Sequence, residues 1–142
     1  MSVEENKALV QRLVEVYNTG NLAALGEVLA PEFVYHNAPP GQKPGREGYK
    51  EAQMSGQNAF PDLHYTIEDM IAEGDKVVVR VTCSGTHRGE FMGIAPTNKR
   101  VTMPAVGIYR IVNGKIFEEW EFGDMLGFMQ QLGAVTIKTA SK

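Results

Sequence analysis

Only one cysteine, Cys83, occurs in the 142 residues, which excludes an internal disulfide framework and fits a reducing, cytoplasmic setting. Long apolar runs are missing as well: stretches such as Val77-Val78-Val79 fall far short of the roughly 20 residues a membrane-crossing helix needs. Cations are in deficit, with 14 Lys and Arg against 17 Asp and Glu and a formal charge of −3. A nucleic-acid surface requires clustered excess cations, so no nucleic-acid partner is expected. The opening residues Met1-Ser2-Val3-Glu4-Glu5-Asn6-Lys7 lack the basic start and apolar centre of a secretion signal. The only histidines, His36, His64 and His87, have no ligand-pair spacing, so no metal is expected. Gly85 to Gly93 is glycine-containing but has no phosphate-loop pattern, which argues against a nucleotide. Alternation with Val77, Val79 and Val81 makes Cys83 a buried apolar residue rather than a nucleophile.

What is present is an ordinary globular composition, 43% hydrophobic and 22% charged. One domain over residues 1–142 is expected, with an ordered core at about 6–133 and a poorly tied tail after Gly133. Leu9, Leu13, Val16 and Tyr17 recur at helical spacing between Glu4 and Asn18, and Gly20 supplies a left-handed stop. Asn21 is placed to cap a second helix carrying Leu22, Leu25, Val28 and Leu29 and ending before Pro31. Phe33 to Asn37 reads as a short strand, 38–45 as loop, and Arg46 to Asn58 as a third helix. After Pro61 the period changes to two. Strands are expected from His64 to Ile71, across Val77 to Ser84, from Arg100 to Val112 and from Lys115 to Phe122. Pro104 requires a bulge or an unpaired edge. Asn113-Gly114 is a hairpin signal, and Asp124 to Leu132 reads as a short terminal helix.

Helices first and a meander afterwards specify an α+β fold with helices packed on one face of the sheet. A strongly curved antiparallel or mixed sheet wrapped around them leaves a cone-shaped hollow, the natural place for a ligand.

Several stretches resemble the SnoaL-like polyketide cyclases, within the nuclear-transport-factor-2-like (NTF2-like) superfamily. They are Glu15-Val16-Tyr17-Asn18-Thr19-Gly20-Asn21, Pro44-Gly45-Arg46-Glu47-Gly48, Phe60-Pro61-Asp62-Leu63, the run from Gly85 through Ile94, and the block from Asn113 through Gly133. The resemblance implies the cone-shaped fold, oligomers assembled through the sheet, and a cofactor-free ring closure by intramolecular aldol condensation. It also implies an acid/base aspartate in the terminal block, at Asp124.

Asp124 is accordingly the first catalytic candidate. Trp120, Phe122, Met125, Leu126 and Phe128 supply apolar surroundings that raise a carboxyl's pKa and suit it to moving a proton at carbon. Its competing role is an N-cap. His36 is the second candidate, as a donor to an enolate oxygen. Tyr35 has the opposite strand parity, so at most one of that pair faces the hollow. Arg110 is expected either to bind a substrate oxygen or to pair with Glu118 or Glu119 across the hairpin. Its same-parity neighbours Val106, Ile108 and Val112 depart from the additional polar groups that the anthracycline ring-closing members present on this strand. Trp120, Tyr17, Met54, Phe60 and Ile108 complete the expected substrate contacts. The expected partner is a small hydrophobic carbonyl compound. The alternatives are a binder that leaves its ligand unchanged and an isomerase or dehydratase on the same fold. The helices cover only the concave side of the sheet, so a homodimer or homotetramer through the other side is expected.

Overall fold

The computed structural model describes residues 2–138; tail residues 139–142 lie outside that range. Helix α1, Val3–Thr19, starts on a Ser2–Glu5 capping box and buries Val10, Leu13, Val14, Val16 and Tyr17. It stops at Gly20, whose φ of 73° is left-handed. The second expected helix shrinks to a 3₁₀ segment, Leu22–Glu27, with no capping bond from Asn21. Gly26 weakens a continuing helix, and the chain is already extended at Leu29. Pro31 therefore sits inside strand β1, Leu29–Tyr35, instead of following a helix. It is tolerated because β1 is an edge strand whose pairing with its neighbour is irregular between Leu29 and Val34. Helix α2, Gly45–Ala59, follows the loop.

The meander then runs β2 (His64–Glu73), β3 (Lys76–Thr86), β4 (Arg100–Val112) and β5 (Lys115–Gly123). Helix α3, Met125–Leu132, closes the fold. The sheet order is β1-β5-β4-β3-β2, antiparallel except for the parallel pair β1–β5. Asn113 and Gly114 both adopt positive φ, 49° and 77°, the turn that a two-residue hairpin on twisted strands demands. Pro104 lies within the central strand β4, paired with Thr82 of β3. Its carbonyl accepts from the Asp124 N–H just past the end of β5, so its missing donor also faces the side where the partner strand has stopped.

Helices α1 and α2 fill the concave face, packing on Val77, Val79, Val81, Tyr109, Ile111 and Ile116 as the main core. A second cluster, Ala59, Phe60, Val101, Phe128 and Leu132, closes the other end beneath α3. Residues 134–138 are exposed and irregular. No helix among the described residues is long and apolar enough to cross a membrane.

Candidate functional site

Between the two core clusters lies a cavity of about 220 Å³. Its wall is drawn from the last turns of α2, the adjoining ends of β2, β3, β4 and β5, and α3. Phe60, Phe91, Val101, Met103, Met125 and Phe128 make it mostly apolar. Gln53, Tyr65, Cys83 and Ser84 add neutral polar groups, and among the described residues Glu121 is the one charged side chain on the wall. Burial pushes the Cys83 thiol up to about 12, so it stays a neutral thiol at ordinary pH.

Glu121 reaches this wall because β5 carries one extra residue. Ile111 pairs with Ile116, yet Arg110 pairs with Glu118, so Phe117 forms a β-bulge. Unbroken alternation from the buried Ile116 would turn Glu118, Trp120 and Phe122 inward. The bulge inverts that order, and Glu119 and Glu121 face the concave side instead. Glu119 is only 1% exposed. Desolvation and the neighbouring Glu121 charge raise its pKa well above the usual glutamate range. Glu121 keeps part of its surface open at the cavity, but its carboxyl is desolvated and its pKa is raised as well, with the hydrogen bond from Glu119 opposing that rise. The two carboxyls interact closely, so their titration belongs to the pair, and both are held above the usual glutamate range by burial.

Behind Glu119 stand tyrosines. Tyr49 Oη donates to Glu119 Oε1 at 3.1 Å, and the Tyr17 and Tyr49 hydroxyls are hydrogen-bonded to each other. Tyr109, from β4, lies beside the same carboxyl. Burial raises the pKa of each of these phenols well above its normal value, keeping them neutral.

The sequence candidates distribute unevenly over this geometry. Phe60 lines the cavity. Tyr17 is buried behind the wall, bonded to Tyr49. Met54 is corrected: it is 49% exposed and borders a shallow depression with Gly20 and Lys50, away from the cavity. His36, Trp120, Arg110 and Ile108 are corrected together: strand alternation places Trp120, Arg110 and Ile108 on the outer face of the sheet, and His36, just past the end of β1, lies against that face. There His36 stacks on Trp120 at 4.5 Å with 8° between the rings. Arg110 donates to Glu118 at 3.1 Å, the cross-hairpin pair weighed above, and Glu118 also lies 3.7 Å from His36. Tyr35 is the inward member of its pair, with its ring against Tyr49. Cys83 is buried and free. No cluster of three or more His, Cys, Asp or Glu able to hold a metal occurs among the described residues.

The expected placement of Asp124 on the cavity wall is corrected too. It is exposed, and its Oδ1 accepts from the Gly127 N–H at 2.9 Å as the N-cap of α3. Cavity-wall residues flank it, but strand β5 has ended and the side chain turns back onto its own helix. Asp124→Ala is expected to cost about 0.5–2 kcal/mol in urea unfolding, with Asp124→Asn nearer to neutral. A loss below that range in the alanine variant would contradict the capping role.

Comparison with known proteins agrees with the geometry. A family model described as SnoaL-like polyketide cyclase matches residues 7–132. Aklanonic acid methyl ester cyclase DauD from Streptomyces sp. (strain C5) is 30% identical over 131 residues, covering 88% of this chain and 80% of that protein. Nogalonic acid methyl ester cyclase from Streptomyces nogalater is 27% identical over 128 residues, covering 85% and 92% respectively. The solved structure of TsrD from Streptomyces laurentii matches with a TM-score of 0.88 at 31% identity, covering 95% of this chain and 99% of that one. With the family model spanning all but the ends of the chain, and the fold shared with TsrD, the chain belongs to the SnoaL-like polyketide cyclase family.

Proposed function

We propose that this protein closes a ring in a neutral, hydrophobic polycarbonyl molecule by a cofactor-free intramolecular aldol reaction, with Glu121 as the acid/base. The observation that carries this is a desolvated carboxylate, its basicity raised, on the wall of an apolar cavity. Ionised Glu121 takes a proton from a C–H beside a carbonyl, giving an enolate and a neutral carboxyl. The enolate carbon bonds to a second carbonyl carbon, and the alkoxide so formed takes the proton back. The product is an isomer of the substrate and the enzyme is unchanged. Folding both ends of one molecule into the cavity supplies much of the rate by orientation. Enolate stabilisation, first expected of His36 or Arg110, falls to the neutral donors of the wall, Gln53, Tyr65 and Ser84. Asp124 serves as the cap of α3 in this scheme.

Among the described residues the wall holds no Lys, Arg or His. A free carboxylate brought beside the glutamate pair would find no counter-charge, which favours an esterified substrate. The relatives are named for methyl esters of aklanonic and nogalonic acids. Incubation with each of these two esters, followed by chromatography and mass measurement, is expected to give a product of unchanged mass and altered absorption. No conversion of either would count against this function.

A cytoplasmic location, resting on the single Cys83, is part of the same proposal. So is self-association through the outer sheet face, as a homodimer or a homotetramer. That face carries Ile71, 61% exposed, and Phe122, 59% exposed, beside half-buried Ile108 and Trp120. Sedimentation at micromolar concentration is expected to show a dimer or larger, reduced to monomer by Phe122→Glu. A monomeric wild-type protein would overturn it.

A further inference from the structure

Glu119 is buried at the centre of the fold, yet it does not line the cavity and so cannot touch a substrate there. A fully buried carboxyl is costly unless every oxygen is satisfied and its charge is removed. The groups facing it come from all the surrounding elements: Tyr17 of α1, Tyr35 of β1, Tyr49 of α2, Tyr65 of β2, Tyr109 of β4 and Glu121 of β5. None is a cation. The hydrogen-bond directions follow from counting protons. Tyr49 has a single hydroxyl proton and donates it to Glu119 Oε1, so the Tyr17–Tyr49 bond must run from the Tyr17 hydroxyl to the Tyr49 oxygen. A Glu119 carboxyl whose Oε1 accepts from Tyr49 is left with Oε2 to carry a proton toward Glu121.

We propose that Glu119 is a positioning residue, a permanently protonated carboxyl anchored by the Tyr17–Tyr49 hydroxyl chain, which donates to Glu121 and so holds that side chain as the ionised, correctly aimed base of the cavity. This rests on Glu121 being the base proposed above. During turnover the Glu119 O–H bond stays intact. The pair carries one proton at rest, two after Glu121 has taken the substrate proton, and one again when it returns it. A glutamate in this role is needed for its shape and its donor hydrogen. The Glu119→Gln substitution retains both, with an amide N–H toward Glu121 and a carbonyl toward Tyr49.

The experiment is infrared difference spectroscopy of full-length protein with and without carboxyl-¹³C-glutamate, at about pH 7, where exposed carboxyls are ionised. The wild-type protein is expected to show an isotope-sensitive band of a protonated carboxyl. Glu119→Gln is expected to abolish that band, while Tyr49→Phe is expected to move it to higher frequency because the carbonyl loses a donor. A merely structural Glu119 would be protonated by its burial as well, so positioning is read from the carboxylate band of Glu121: Glu119→Leu, which removes the donor, is expected to shift that band, and an unmoved band in folded Glu119→Leu would overturn the positioning role. Absence of the band in the wild type would overturn the proposal, as would its persistence in a folded Glu119→Gln or an unmoved position in Tyr49→Phe. If Glu119→Gln does not fold, a missing wild-type band, or one unmoved by Tyr49→Phe, still overturns the proposal. No substrate enters the measurement, so failure of the ester assays and failure of this assignment are separate results.

Discussion

Glu121→Gln is expected to lower turnover by about 10²–10⁴-fold, the usual contribution of a positioned general base, without unfolding the protein. Glutamine has the same shape, and its side-chain carbonyl still accepts the bond that Glu119 donates. What it loses is the ability to take a proton from carbon. The loss should fall on kcat with KM little changed, since the apolar wall that binds the substrate is untouched. Asp124→Asn is the natural control, because Asp124 caps α3 in solvent and is expected to leave kcat at the wild-type level. Steady-state kinetics on the ester substrates checks both. A fully active Glu121→Gln, or an inactive but folded Asp124→Asn, would reassign the base.

Phe60→Ala is expected to cost about 3–5 kcal/mol in urea unfolding, the range for removing a buried phenylalanine ring. Phe60 begins where α2 ends, and it is almost fully buried in the cluster that closes the cavity. Its ring meets those of Phe91, Phe128 and His87 at 5.4, 5.7 and 5.4 Å. Three separate segments, the 87–99 loop, α3 and the end of α2, are held together through it. Truncation leaves a hole continuous with the cavity, so apolar ligands should bind less tightly as well. A cost below about 1 kcal/mol would show that the cluster repacks and that Phe60 is not the closure of the chamber.

The parts of this fold that could be read from residues were those with long, uninterrupted periods. Val77, Val79, Val81 and Cys83 all face inward as alternation requires, and Leu13, Val16 and Tyr17 are buried on one face of α1. Gly20 and Asn113-Gly114 stop and turn the chain because positive φ suits those residues there. The failures have local causes. Pro31 reads as a helix terminator, but an irregular edge strand has no need of its N–H. Asp124 has the composition of a buried catalytic acid, with apolar residues on both sides, yet one-dimensional neighbours do not decide which way a side chain turns. Glu119 and Glu121 were hidden by the bulge at Phe117. Plain alternation gives a persuasive inward set with Trp120 and Phe122, and only the inserted residue reverses it. A signal was nevertheless present: Arg110 beside Glu118 across the hairpin fixes both on one face, and that parity puts Glu119 and Glu121 on the other.

The pH dependence of kcat/KM tests the chamber most directly, because it reads the ionisation of the free enzyme's essential base. Burial raises the carboxyls of this pair above the ordinary glutamate value of about 4.5. Activity should therefore climb with pH along a single-proton limb whose midpoint lies above that value and belongs to the coupled pair. A profile that is flat, or that breaks at the pH of a solvent-exposed carboxylate, would contradict a desolvated Glu121 at the heart of the reaction.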